Sequence, residues 1–269
     1  MRQGIMRFSA QGIHKYIAYF QAFCGTDALP EVLKMHYVEA VRFPGVVGLS
    51  VGTRPDMISD EKLHVLAGLA KSKPPQNSMP EKGLPDRSLP DRSLPDRSLP
   101  DRSLEVWIEL GLQSAHDETL FRIRRGHDVA CFDDAVIRAD RSGLSTAAHV
   151  ILGLPGENRN QMMATAEHLN ALPVRGVKLH HLFVEERTEL ARLYANRAFR
   201  TLEMDEYLDL AIEFLQRLRK DIIIMRLMGK ARSGSLIAPL WKIRTGEWTQ
   251  RIQNEMVIRG CRQGDLVRE

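Results

Sequence analysis

Gly45-Val46-Val47-Gly48-Leu49-Ser50-Val51-Gly52-Thr53-Arg54-Pro55-Asp56 is the stretch on which the fold turns. Gly45 to Val51 is a short apolar run between glycines, the pattern of a strand covered on both faces, and it runs directly into a polar turn. Upstream, Ala28 to Arg42 has helical spacing, with Leu29, Val32, Leu33 and Val41 on one face. Before that, Tyr16 to Phe23 is an aromatic and apolar strand, ended by the turn Cys24-Gly25-Thr26-Asp27. Downstream, Asp60 to Lys71 restores helical spacing through Leu63, Leu66 and Leu69. Strands alternating with helices imply a parallel sheet whose crossovers are helical.

The alternation continues along the chain. Leu104 to Leu110, Ser145 to Leu152 and Arg175 to Leu182 read as strands, with helices at Phe132 to Ser142 and from about Asn160 to Leu172. Met204 to Arg219 is amphipathic through Leu208, Ala211, Ile212, Leu215 and Leu218, and Asp221 to Leu227 is one more strand. Leu236 to Trp241 and the surroundings of Trp248 read as a packed tail. The expected fold class is α/β, a partial TIM-like parallel (β/α) barrel with a C-terminal helical extension. Residues 1–200 would form the barrel, and residues 201–269 the helix, strand and tail.

The barrel is interrupted at residues 72–103. Leu84 to Ser103 is four copies of Leu-Pro-Asp-Arg-Ser. A proline every fifth residue forbids a regular helix or an inner strand, and the unit is far shorter than a solenoid repeat. A disordered surface insertion without activity is expected. It joins a helix to the following strand, so it belongs at the end of the barrel opposite the usual binding mouth.

Composition excludes several classes. The 269 residues are 43% hydrophobic and 27% charged, enough for one large buried core. The net charge of +4 is a small surplus of 38 basic over 34 acidic residues, which permits a nucleic-acid partner without arguing for one. The basic clusters at Arg122, Arg124 and Arg125 and at Arg217, Arg219 and Lys220 read as solvated helix faces. No apolar run approaches the length of a membrane span, and Cys24, Cys131 and Cys261 have no paired spacing, so a cytoplasmic setting is expected.

Three strand exits place polar groups where a parallel barrel binds ligands. They are Gly52-Thr53-Arg54-Pro55-Asp56, Glu109-Leu110-Gly111-Leu112-Gln113-Ser114 and Gly153-Leu154-Pro155-Gly156-Glu157. Glu109 and Gln113 interrupt a buried strand and its exit, and Gly153 opens a turn that lets a ligand approach the backbone. Each also has an ordinary explanation: a Gly-Pro turn is common loop chemistry, and a buried Glu often just accepts from backbone amides.

In order and spacing these segments resemble the radical S-adenosylmethionine superfamily, in its branch related to the Elongator catalytic subunit. Glu109 to Ser114, then Leu120, then Arg125-Gly126-His127, is similar to one strand signature of that branch, and Thr53 to Asp56 to another. Within the branch the likeness is to YhcC-type proteins, through Tyr19-Phe20-Gln21-Ala22-Phe23, Val51 to Asp56, and Ala238-Pro239-Leu240-Trp241.

The resemblance implies a barrel of six parallel strands that binds S-adenosylmethionine across the strand ends. In the family a [4Fe-4S] cluster on three cysteines reductively cleaves this cofactor and releases a 5′-deoxyadenosyl radical. By the same resemblance Phe23, Cys24, Gly25 and Thr26 would meet the methionine amine, and Ile151 and Gly153 would flank the adenine. Arg54, Glu109 and Gln113 would complete the cofactor side. Lys178 and His180 would face the substrate, although His180 also reads as a satisfied barrel histidine.

The pattern departs from the family at the cysteines. Cluster ligation needs closely spaced thiolates, and the three cysteines here are each more than a hundred residues from the next. No metal site is expected, and the family's first strand and cysteine loop have no counterpart before Tyr16. The expectation is a catalytically incomplete, N-terminally truncated enzyme from a split or decayed gene, with a separate segment as one source of the cluster. The alternative is a non-catalytic protein that binds S-adenosylmethionine or RNA. The substrate is not legible.

Overall fold

The computed structural model describes residues 2–21, 24–71, 104–231 and 234–267; the repeat insertion and Phe23 lie outside the described residues. Helix α1 (Arg2–Ser9) leads to strand β1 (Tyr16–Phe20), followed by α2 (Pro30–Val41), β2 (Val46–Thr53), α3 (Asp60–Lys71) and β3 (Glu105–Gln113). Next come α4 (Asp117–Arg122), α5 (Val129–Arg141), β4 (Ser145–Leu152), α6 (Arg159–Asn170) and β5 (Gly176–His181). The chain continues with β6 (Val184–Glu185), α7 (Glu189–Ala195), α8 (Met204–Arg217), β7 (Ile223–Arg226), β8 (Leu236–Ala238) and α9 (Thr245–Ile258).

Six strands form one parallel sheet in the order β1-β2-β3-β4-β5-β7, curled into a half-barrel with helices around it. This is the partial barrel expected from the alternation. Along β3, Val106, Ile108, Leu110 and Leu112 are buried on the helix side. The intervening Trp107, Glu109 and Gly111 therefore point into the curl. Helix starts are fixed locally: the Asp128 side chain accepts from the Cys131 amide, and Asn158 and Gln161 form a capping box. Tyr207, Leu208, Ala211, Ile212, Phe214 and Leu215 make α8 one of the main apolar faces of the core.

Some boundaries differ from the sequence reading. β1 stops at Phe20, while β2 and β3 run on to Thr53 and Gln113, carrying polar residues into the sheet. The tail is regular. Leu236–Ala238 pairs antiparallel with Val184–Glu185, and Trp248 and Ile252 bury the inner face of α9. α1, α4 and α7 were not expected, because each is at most eight residues long. Both attachment points of the insertion, Lys71 at the end of α3 and Leu104 before β3, lie at the N-terminal ends of the strands, away from the mouth.

Candidate functional site

The floor of the curl is apolar. A Cβ on Gly176 would come within 3.1 Å of Trp107, 3.2 Å of Ala147 and 2.8 Å of the Met225 sulfur, so glycine is what lets these three meet. One layer towards the mouth the lining becomes polar. Glu109 of β3, only 3% exposed, accepts hydrogen bonds from four strands. Tyr19 Oη of β1 donates at 2.7 Å, Ser50 Oγ of β2 donates to the other oxygen, His149 Nε2 of β4 lies at 2.9 Å, and Lys178 Nζ of β5 forms an ion pair. A carboxylate is acceptor-only, so His149 must carry its proton on Nε2. The Lys178 ammonium also lies 4.6 Å from the Tyr19 ring centroid.

The electrostatics follow from burial and pairing. Burial alone raises the Glu109 pKa, but donation from His149, Lys178, Ser50 and Tyr19 outweighs it and holds the carboxyl well below its usual range. Burial pulls Lys178 down, and Glu109 opposes that loss. Burial also lowers His149 and takes His180 to about 3, with His149, Arg226, His181 and Lys178 adding to the fall at His180. His180 is therefore a neutral imidazole at neutral pH. It stacks on His149 with centroids 5.7 Å apart, and its Nε2 is buried without a hydrogen-bond partner.

The rim above this layer is built by strand exits. The register of β3 against β4 slips between Gly111 and Gln113, and Gln113 adopts φ 72°. The bulge turns the Gln113 amide back over Gly111, whose carbonyl also receives Arg125 Nη2 at 3.0 Å and His127 Nε2 at 3.1 Å. The turn after β1 docks on the end of β2. The Gly25 amide donates to the Gly52 carbonyl at 2.8 Å, the Thr26 and Thr53 hydroxyls are 2.6 Å apart, and Cys24 Sγ is 2.9 Å from Thr53 Oγ1. Arg54 is held by Asp56 and covers Gly126. Glu157, raised by burial, is bonded by Ser114.

Of the residues singled out in the sequence, Glu109 and Lys178 are in direct contact, and His180 and Ile151 are register partners beside them. Cys24, Gly25 and Thr26 form one part of the rim, and Gln113 another. Arg54 is occupied by Asp56, and the open side of Gly153 (φ 84°) is filled by Leu202. Tyr19, Ser50, His149 and Arg226 were not singled out. Each breaks an apolar strand with a polar side chain, the signal that marked Glu109, but strand register was needed to show that they converge.

Comparison with known proteins places this arrangement. Residues 97–169 match the Radical SAM superfamily, and residues 174–257 match the Radical_SAM C-terminal domain. Protein YhcC of Escherichia coli (strain K12) is 33% identical over 255 residues, covering 93% of this chain and 72% of that protein. The chain belongs to the radical S-adenosylmethionine superfamily, as a YhcC-type protein. Another relative of this type, YtqA of Bacillus subtilis (strain 168), is 31% identical over 250 residues, with 93% of this chain and 68% of YtqA covered. The fold is shared with the archaeal Methanocaldococcus infernus Elp3 with N-terminus deletion (1–46), at TM-score 0.74 and 16% identity. That match covers 97% of this chain, which spans 59% of the Elp3 chain.

The superfamily's two groups fare differently against these residues. Cys24, Cys131 and Cys261 are free thiols on the turn after β1, in α5 and beyond α9. Among the described residues, no three His, Cys, Asp or Glu side chains are grouped to hold a metal ion. A cluster held by thiolates does not fit this donor set. For S-adenosylmethionine the polar groups present are the Gln113 amide and the Arg125 guanidinium at the rim and the buried His180 Nε2, which lacks a partner; the Thr26 and Thr53 hydroxyls are buried and bonded to each other.

Proposed function

We propose that this YhcC-type protein binds S-adenosylmethionine across the C-terminal mouth of its half-barrel and carries no cluster thiolates of its own. The observation that supports this most is the Glu109 layer, a fully bonded carboxylate in the curl directly beneath a rim of hydroxyl, amide and guanidinium groups. When bound, the cofactor supplies a sulfonium centre that relatives with a cluster cleave reductively. In this reading Cys24, Gly25 and Thr26 take the methionine end, Ile151 flanks the adenine, and Glu109 and Gln113 line the cofactor side, whereas Arg54 is held by Asp56 and Gly153 is covered by Leu202. Lys178 and His180 face the substrate. Reductive cleavage would require thiolates from outside residues 1–269, and the three unpaired cysteines suit a reducing cytoplasm. Anaerobic reconstitution of the chain with iron and sulfide tests the cluster claim: no stable charge-transfer absorbance is expected, and a persistent four-iron signal contradicts it.

A second reading, RNA binding, rests on the groove lined by Asp117, Asp128 and His127 as well as by Phe121 and the cations Arg122, Arg124 and Arg125. Phe121 is 86% exposed beside these cations, the combination that stacks a base and holds its phosphates. Binding of single-stranded RNA whose affinity falls with salt at about 0.7 log unit per phosphate contact favours it; salt-independent binding contradicts it.

A further inference from the structure

The last strand of the sheet carries a register slip that alternation in the sequence conceals. Gly176 of β5 pairs with Ile223 and Val177 with Ile224, so an unbroken ladder would set Met225 opposite Lys178 and turn Arg226 to the helix side. The register shifts instead between Val177 and Lys178, and Arg226 becomes the partner of Lys178. Met225 is the extra residue, and its sulfur rests on the open face of Gly176. Bulges are uncommon between parallel strands, and where they occur they re-aim a side chain.

The residue thereby set opposite Lys178 carries a guanidinium. Its charge bears on Tyr19, His149, Lys178 and His180, which lie on three different strands and all point inward. Charges around Glu109 then do not balance. The single carboxylate is already bonded by Lys178, His149, Ser50 and Tyr19, while Arg226 forms no ion pair or hydrogen bond with any described residue. Beside it, the half-buried His180 ring keeps Nε2 without a partner. A partly buried guanidinium and a neutral imidazole, both unoccupied, have the donor chemistry of an oxyanion site.

We propose that Arg226 and His180 form a subsite for an oxyanion of the substrate, a carboxylate or a phosphate, with Arg226 as the charged anchor and His180 as the neutral donor. The subsite deepens the binding reading above, from which it takes the mouth as the route of entry. Met225 and Trp107 set its apolar floor.

Histidine-labelled full-length protein, titrated with acetate and separately with inorganic phosphate at ionic strength fixed by chloride, tests the subsite through the His180 ring signals. A saturable shift with either anion is expected in the wild type; the anion that produces it identifies the carboxylate or phosphate source. Arg226→Gln should weaken saturation about tenfold or more, and Arg226→Lys should retain most of it. Unchanged titration in Arg226→Gln, or no shift of His180 with either anion, overturns the subsite. So does displacement of the anion by S-adenosylmethionine but not by its decarboxylated analogue, which would assign the site to the cofactor's carboxylate. Heats of S-adenosylmethionine binding, measured on the same samples, keep the two ideas apart. Their loss with anion binding intact contradicts the cofactor reading and leaves the subsite standing.

Discussion

Lys178 and Glu109 meet with side chains 8% and 2% exposed, so each depends on the other for compensation of its charge. Replacing Lys178 by Met leaves a buried carboxylate with hydroxyl and imidazole donors only, and should cost about 3–5 kcal/mol of unfolding free energy. The double variant Lys178→Met, Glu109→Gln removes both charges while keeping an acceptor oxygen for Tyr19 and His149 and turning an amide donor towards the Ser50 hydroxyl, and should recover most of that loss. Urea denaturation of the two variants checks this, and an additive double variant would show that the pair is not coupled. The buried histidines set the acid response. His180 and His181 are held at about 3 and about 4, chiefly by burial, and the unfolded chain titrates them near about 6.5. Between those values the unfolded state binds more protons, so their contribution is present above about pH 6.5 and is lost as pH falls, by up to about 1.4 kcal/mol per unit for each histidine. Glu109, whose pKa is depressed, adds a further loss below about pH 4.3. His181→Phe, which keeps the ring stack against Trp241, should flatten the slope between pH 6.5 and 4.5 by about one proton; an unchanged slope would contradict this assignment.

At the scale of elements, the features that build the site are departures from regular strands. The slip at Gly111 to Gln113 returns the Gln113 amide over Gly111, and the slip at Met225 sets Arg226 opposite Lys178. The strands were legible because Val46 to Val51 and Val106 to Leu110 are apolar runs bounded by turns, and Glu109 stood out as a charge within one of them. The bulges were not, since an inserted residue leaves no local mark in composition and appears only in the partner's register. α9 was hidden for a related reason: only Trp248 and Ile252 of its residues are buried, too few to stand out as a stripe. The turn after β1 makes a sharper prediction. A Cβ at Gly25 would lie 2.8 Å from the Gly52 carbonyl oxygen and 2.8 Å from Val51 Cγ1, and neither can move without disturbing β2. Gly25→Ala should lower stability by about 1–3 kcal/mol and weaken S-adenosylmethionine binding, whereas deletion of three of the four Leu-Pro-Asp-Arg-Ser copies should leave that binding unchanged. Thermal melts and calorimetry on both variants test the contrast.

For the whole molecule, the six-stranded half-barrel and its match to YhcC and YtqA account for the architecture, and the interior layer accounts for where a ligand would sit. The cysteines remain the point of departure from the superfamily. Among the described residues three thiols on three separate elements make no cluster site, while the lining of the curl around Glu109 is polar. Among the described residues no helix is long and apolar enough to cross a membrane. The central claim is that cofactor binding is retained in a chain whose own residues do not ligate a cluster. Isothermal calorimetry of the full chain, without iron, titrated with S-adenosylmethionine tests it most directly. Saturable heat at one site per chain, reduced by Gln113→Ala, is the result expected; a folded protein that gives no heat with S-adenosylmethionine would contradict the account.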